Sequence, residues 1–258
     1  MKTFCFTVDD NIRFLRELSA SGGRSLFDHP YMAMYRRLHC EFGLKVQLNL
    51  FYKDSLFDLS AMSDKYADEW RENADWLKLS FHSEGEHPTH PYRESECGTV
   101  ERDVQDVHRE ILRFAGRESL AKTTTIHYCS TRREAVGTLY ANGVRGLLGL
   151  FGTDEVPRIS YGIEDEVMNE RLRRGEIAVC DGVAIASLDV VVNTKKREEI
   201  PSVLAALRDR DSLRVMIHEQ YFYPDYGNYQ PDFEDKLRDT FRLLTEDGRE
   251  SRFFEELI

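Results

Sequence analysis

Three short apolar runs in this chain stop in the same abrupt way. Lys2–Val8 (KTFCFTV) stops at Asp9-Asp10-Asn11, Leu77–Phe81 (LKLSF) at His82-Ser83-Glu84-Gly85-Glu86-His87, and Leu213–Ile217 (LRVMI) at His218-Glu219. Strands normally leave a sheet through turn residues, and a cluster of ionisable side chains is a costly substitute. Such clusters mark chemistry at the C-terminal edge of a sheet. The fold must therefore bring strand ends from both termini and the middle of the chain to one place.

Between these runs the apolar period switches repeatedly to that of a helix. Ile12, Leu15 and Leu18 form a stripe ended by Gly22-Gly23. Pro30 opens a second helix carrying Tyr31, Met34 or Tyr35, Leu38 and Phe42, and Gly43 closes it. Tyr66 and Trp70 mark a third. Val100, Val104, Val107, Ile111 and Phe114, at steps of four and three, mark the clearest. Further helices carry Val136 and Leu139, then Ile200, Val203, Leu204 and Leu207, then Phe233, Leu237, Phe241 and Leu244. The remaining strands are Lys45–Phe51, Thr123–Cys129 with His127, Arg145–Phe151, and Val183–Val192 with Asp189. Residues 152–181 read as an elaborated loop with a charged helix near Glu164–Arg174, long enough to roof a barrel mouth.

Strand and helix alternate about seven times with no linker, which predicts one parallel α/β domain over residues 1–258. Ionisable groups at the ends of non-neighbouring strands converge only if the sheet closes, so a barrel is expected. A chain of 258 residues suits one such barrel. Against 46 acidic residues stand 35 basic ones, a net charge of −11, which argues against nucleic-acid or anionic-membrane partners. No apolar run approaches the ~20 residues of a membrane span. Met1 leads straight into a strand rather than a signal peptide. Five scattered cysteines without a C-x-x-C pair suit free thiols in a reducing compartment. A cytoplasmic protein with a small-molecule substrate is expected, with self-association left open.

The order Thr7-Val8-Asp9-Asp10, His82-Ser83-Glu84-Gly85-Glu86, Val215-Met216-Ile217-His218 resembles the motifs of the polysaccharide deacetylase (NodB-homology) superfamily. Phe81-His82 with Glu86, and Ile217-His218-Glu219-Gln220-Tyr221-Phe222, look like an intracellular branch of it. The resemblance implies a distorted (β/α)7 barrel and a hydrolase acting on carbon–nitrogen bonds other than peptide bonds, or on esters. It implies Asp10 and His82 as ligands of one divalent ion, Asp9 as general base and His218 as general acid. The last histidine of the second motif falls on Glu86, with His87 one residue later, so the third ligand is Glu86 or His87. His82 and Glu86, four apart, share a side if the segment turns helically after its strand. Such a set suits zinc foremost, or iron, manganese or cobalt, and not calcium.

The fourth strand holds His127-Tyr128 where the family has an arginine-proline motif, and His127 is read as touching metal or substrate, or simply packed. Asp189, Glu219 and Tyr221 are expected beside the substrate. Plainer readings stand next to these. Asp9-Asp10-Asn11 could cap the following helix, and His218 could be a satisfied core histidine. The activity expected first is deacetylation of a small substrate rather than a polymer. The alternatives are an inactive barrel that binds a carbohydrate or protein partner, and a metal-free glycosidase-like site built on Asp9 and Glu219.

Overall fold

The structure, a computed structural model, describes residues 2–88, 91–151 and 160–258. The first strand, β1 (Thr3–Asn11), is buried along nearly its whole length, because it has neighbours on both edges and apolar layers on both faces. On one edge runs β2 (Val46–Phe51), followed outward by β3 (Leu77–Ser83). On the other runs β9 (Ser212–His218), then the short β8 (Val190–Val191). All these pairs are parallel, and β10 (Glu250–Ser251) adds a short pairing to the start of β1. A second sheet has the order β4 (Thr123–Thr124), β5 (Gly146–Gly149), β7 (Val183–Ser187), with β6 (Ala178–Cys180) antiparallel on its edge.

Two junctions close these sheets into a ring of seven strand positions. After β7 the chain donates Leu188 N–H to Gly149 O (2.7 Å), then changes partner and donates Asp189 N–H to Arg214 O (2.8 Å) as it enters β8. On the far side Leu79 exchanges 2.8 Å bonds with Ser119 O and the Ala121 N–H, just ahead of β4. Beyond that bridge, side chains replace the ladder: Ser80 Oγ donates to Thr123 O at 2.7 Å, and Thr124 Oγ1 donates to Phe81 O. The result is the distorted (β/α)7 barrel, with its distortion at the β3–β4 seam.

The helices cover the outside. They are α1 (Arg13–Ser21), α2 (Pro30–Phe42), α3 (Ala67–Glu72), α4 (Cys97–Phe114), α5 (Ala135–Ala141), α6 (Glu166–Arg173), α7 (Ile200–Ala206) and α8 (Phe233–Glu246). The stripe foreseen on α4 is buried throughout. On β1, Phe6 packs edge-on to Phe241 of α8 at 4.9 Å and against Tyr35 of α2. Each such aromatic contributes roughly 1.5–3 kcal/mol by leaving water. The opposite faces of the strands line the interior. There Gln47 and Asn49, which an alternating strand would turn to solvent, are 1% and 0% exposed. Gln47 Nε2 donates to Asn49 Oδ1 (2.8 Å) and to Thr123 O (2.9 Å), carrying a polar layer across the barrel to the seam.

Three sequence expectations change. The run Thr123–Cys129 is not one strand: β4 is two residues long, and His127–Cys129 form a 3₁₀ turn with Tyr128 and Cys129 at positive φ (58° and 51°). Residues 152–159 of the expected roof lie outside the described residues. The carbonyls of Arg173 and Gly175 are held by Arg210 and Arg214 near the start of β9, so that part of the segment packs at the end of the barrel away from His218. Among the described residues no helix is long and apolar enough to cross a membrane.

Asp189 is the third change, since it does not reach the strand ends. Its carboxylate accepts the Arg214 backbone N–H at 2.7 Å, pairs with Arg210, and lies 3.8 Å from the Arg214 guanidinium. Residue 214 lies four positions before His218 on β9, about 13 Å at ~3.3 Å per residue. Asp189 is therefore a counter-ion for two arginines, one of them 1% exposed, rather than a substrate contact. Asp189→Asn strands the buried Arg214 charge and is expected to lower unfolding stability by about 3–5 kcal/mol. Denaturant melts of the two proteins check this; unchanged stability rules out the counter-ion role.

Candidate metal and active site

The site begins with an irregularity in β1. Val8 is opposite Leu48 and Asn11 opposite Leu50, so Asp9 and Asp10 together face the single residue Asn49. This bulge places Asp10 at φ 63°, a left-handed conformation that aspartate tolerates better than most residues. In a regular strand the two carboxylates would point to opposite faces. Asn11, fully buried, holds the bulge: its Nδ2 donates to Val8 O (2.6 Å) and Asn49 O (3.1 Å), and its Oδ1 accepts from Tyr31 (2.9 Å).

Neither aspartate caps α1. That task falls to Glu219, just past the end of β9. Its carboxylate accepts the backbone N–H groups of Ile12 (2.8 Å), Arg13 (3.0 Å) and Phe14 (2.7 Å), and the Tyr223 hydroxyl (3.0 Å). Burial pushes its carboxyl up to about 7, against the pull of these four donors. Glu219 is thereby removed from the substrate contacts expected of it, and a glycosidase-like pair of Asp9 and Glu219 loses its second carboxylate.

Asp10 meets two histidines. Its Oδ1 lies 3.0 Å from His82 Nε2 and 3.2 Å from His127 Nδ1, and those two nitrogens are 3.1 Å apart. Among the described residues these three form the group able to hold a metal ion, their ligand atoms all within 4.8 Å of one another. The outer nitrogen of each ring meets a backbone carbonyl. His82 Nδ1 donates to Thr125 O, and His127 Nε2 donates to Glu86 O at 3.2 Å. Each inner nitrogen could then offer a lone pair to a cation in place of the hydrogen bond it makes to Asp10. A tetrahedral ion with ~2.0–2.1 Å bonds separates its ligand atoms by about 3.3 Å, close to the three distances here. The donor set and the backbone carbonyls behind both imidazoles fit a zinc-type ion.

The third member of this group is His127, not Glu86 or His87. After β3 the chain does not turn helically. Lys53 N–H donates to Glu84 O at 2.9 Å, and a Cβ on Gly85 would sit 3.1 Å from Lys53 O, so the segment runs pressed against residue 53. Glu86 and His87 emerge exposed, and Glu86 reaches the group only through its carbonyl. His127 replaces them from across the seam, set by the tight turn in which Cys129 N–H donates to Ile126 O at 2.6 Å.

Around this group stand the remaining polar residues. Asp9, opposite His218 in the β1–β9 register, accepts from Asn49 Nδ2 at 2.6 Å. Burial, then the neighbouring Asp10 charge, raises its carboxyl well above the usual range. Burial also works to raise Asp10, but His127 and His82 beside it hold its carboxyl well below that range. His218 donates from Nδ1 to Asn193 Oδ1 (2.9 Å), which leaves Nε2 for chemistry, and burial lowers its pKa. Tyr221 is half-buried, its ring 6.1 Å from that of His218. Gln220 Nε2 donates to the second oxygen of Asp10 at 2.7 Å. Sequence reasoning missed Gln220, Asn193 and Asn49. Only Asn49 carried a signal, as a polar residue two after Gln47 in an otherwise apolar strand.

Glu219→Gln keeps the shape but turns an amide N–H toward backbone donors. A loss of roughly 1–3 kcal/mol follows, read as a Tm several degrees lower at ~2–4 °C per kcal/mol for a chain of this size. An unchanged Tm would show that the cap is not needed.

No family model matches the chain, and no curated protein matches its sequence. Among solved structures it is similar to the 4-alpha-glucanotransferase from Thermococcus litoralis (TM-score 0.55, 15% identity), over 99% of this chain but only 40% of that one. It is similar to a protein from Mycobacterium smegmatis described as a polysaccharide deacetylase (TM-score 0.55, 10% identity, 99% and 89% of the two chains). It is also similar to a peptidoglycan N-acetylglucosamine deacetylase (TM-score 0.50, 11% identity, 98% and 86%). At these identities the likeness is one of fold, and the fold this chain shares is the barrel of the polysaccharide deacetylases.

Proposed function

We propose that this protein is a metal-dependent hydrolase of amide or ester bonds, most simply a deacetylase of a small substrate. The observation that carries this reading is the convergence of Asp10 Oδ1, His82 Nε2 and His127 Nδ1 at 3.0–3.2 Å, at the strand end where Asp9 is paired with His218. Asp10, His82 and His127 would hold a divalent ion, zinc foremost, which supplies Lewis acidity and an activated water.

The chain's own residues do the rest. Asp9 accepts the proton of the attacking water, and its raised proton affinity suits a general base. Asn49 orients its carboxylate. His218, steadied by Asn193, delivers a proton from Nε2 to the leaving group. In net terms the acyl C–N or C–O bond breaks, water gives its oxygen to the acyl carbon, and its proton passes to the leaving atom. The cavity in front of Asp10 measures about 240 Å³. That is below the ~300–1,000 Å³ of sites for drug-sized ligands, which supports a small substrate over a polymer.

Metal analysis after zinc-supplemented preparation should give one ion per chain. His127→Ala should lose it and His87→Ala should keep it, whereas the reverse pattern would return the third position to the β3 loop. Asp9→Asn should keep the metal while lowering kcat on any acetylated compound that is turned over, by at least the ~10²-fold typical of a lost general base. A wild-type rate removes Asp9 from catalysis. Chelation should also lower Tm, since an ion that binds only the folded chain stabilises it.

A further inference from the structure

The cavity in front of Asp10 is lined by charged side chains that are, with one exception, already satisfied. Arg13 is held by Glu17 and Asp225, both at 2.7 Å, with its guanidinium 3.8 Å over the Tyr223 ring. Lys53 is paired with Glu84 at 2.7 Å, and Asp54 with Arg16 at 2.6 Å. Asp10 and Glu219 are committed as described above. The exception is Glu86. Its carbonyl holds His127, but among the described residues its exposed carboxylate has no ion-pair or hydrogen-bond partner. In the same cavity Gln220 spends its amide N–H on Asp10, and its buried Oε1 meets no donor among the described residues.

Both unsatisfied groups accept hydrogen bonds, and one carries a negative charge. A ligand that matches this cavity brings donors and no surplus negative charge, because the cations lining it are already neutralised. We infer that the substrate is a small acylated amine with a second, cationic nitrogen: its ammonium group binds Glu86, and an N–H or O–H beside the acyl group binds Gln220 Oε1. Glu86, expected from the sequence as a metal ligand, becomes a specificity residue instead. Charge-assisted pairing of ammonium with carboxylate is the stronger of the two contacts, and Phe51, Tyr223 and Tyr226 give the carbon chain an aromatic wall.

This inference rests on the hydrolase reading, and its test separates the two. N-acetyl-1,4-diaminobutane, N-acetylglucosamine and N-acetylglutamate offer the zinc-loaded protein a cationic, a neutral and an anionic acetamide. Both binding, by calorimetry, and acetate release are measured. The cationic probe should bind at least tenfold more tightly than the anionic one. Glu86→Gln should cut the cationic-to-neutral affinity ratio by about tenfold without changing metal content, and Gln220→Leu should weaken all three probes. Cation-selective binding without acetate release upholds Glu86 as the residue that selects a cationic acetamide, but overturns the hydrolase reading and makes that acetamide a ligand rather than a substrate. Preference for the anionic probe, an unchanged ratio in Glu86→Gln, or no binding of any probe overturns the inference, even if another acetylated compound is hydrolysed.

Discussion

The contact on which the site depends is the carboxylate of Glu219 against the first turn of α1. A helix start leaves backbone N–H groups without partners, and they are normally satisfied by the residue just before the helix. Here that place falls to Ile12, which has no capping side chain, while Asp9, Asp10 and Asn11 stand just ahead of it at the end of β1. Because Glu219 reaches over from the end of β9 and takes three of those N–H groups, both aspartates are left for other partners. The same contact ties the end of β1 to the end of β9, and so fixes Asp9 opposite His218.

The second constraint is the bulge in β1. One extra residue opposite Asn49 costs a ladder position and a left-handed backbone at Asp10, and Asn11 compensates with side-chain bonds inside the bulge. Consecutive carboxylates then serve separate purposes. Asp9, deep in the barrel, is raised by burial and by its neighbour's charge; Asp10 is lowered by two imidazoles. Environments that drive two adjacent carboxyls apart fit the base and ligand roles proposed for this dipeptide.

Much of this was legible in the sequence. The alternation of strand and helix, the stripe on α4, and the abrupt ionisable ends of β1, β3 and β9 rest on local periodicity, and they appear where the pattern put them. Asp10 and His82 also meet as the strand-end argument implied. What failed did so for a common reason. Assigning Glu86 as a ligand assumed that spacing along the chain sets proximity, but the chain after β3 is pinned to Lys53 and does not turn. Gln47 and Asn49 alternate with apolar residues along β2, and alternation does not tell water from a barrel interior. Asp189 looked like a strand-end residue because the break between β7 and β8, where the strand changes partner, has no mark in the sequence.

The sequence by itself determined which elements form and which of their ends carry chemistry, because helix and strand periods and capping residues act over a few positions. It also set the kinds of donor available to the site. Only the tertiary structure decided which donors meet. His127 reaches Asp10 and His82 because β3 and β4 are joined by side-chain bonds at the seam, and because a left-handed turn swings its ring inward. Glu219 leaves the site because α1 starts beside the end of β9. These are contacts between residues 45 and 207 positions apart, and no local pattern encodes them.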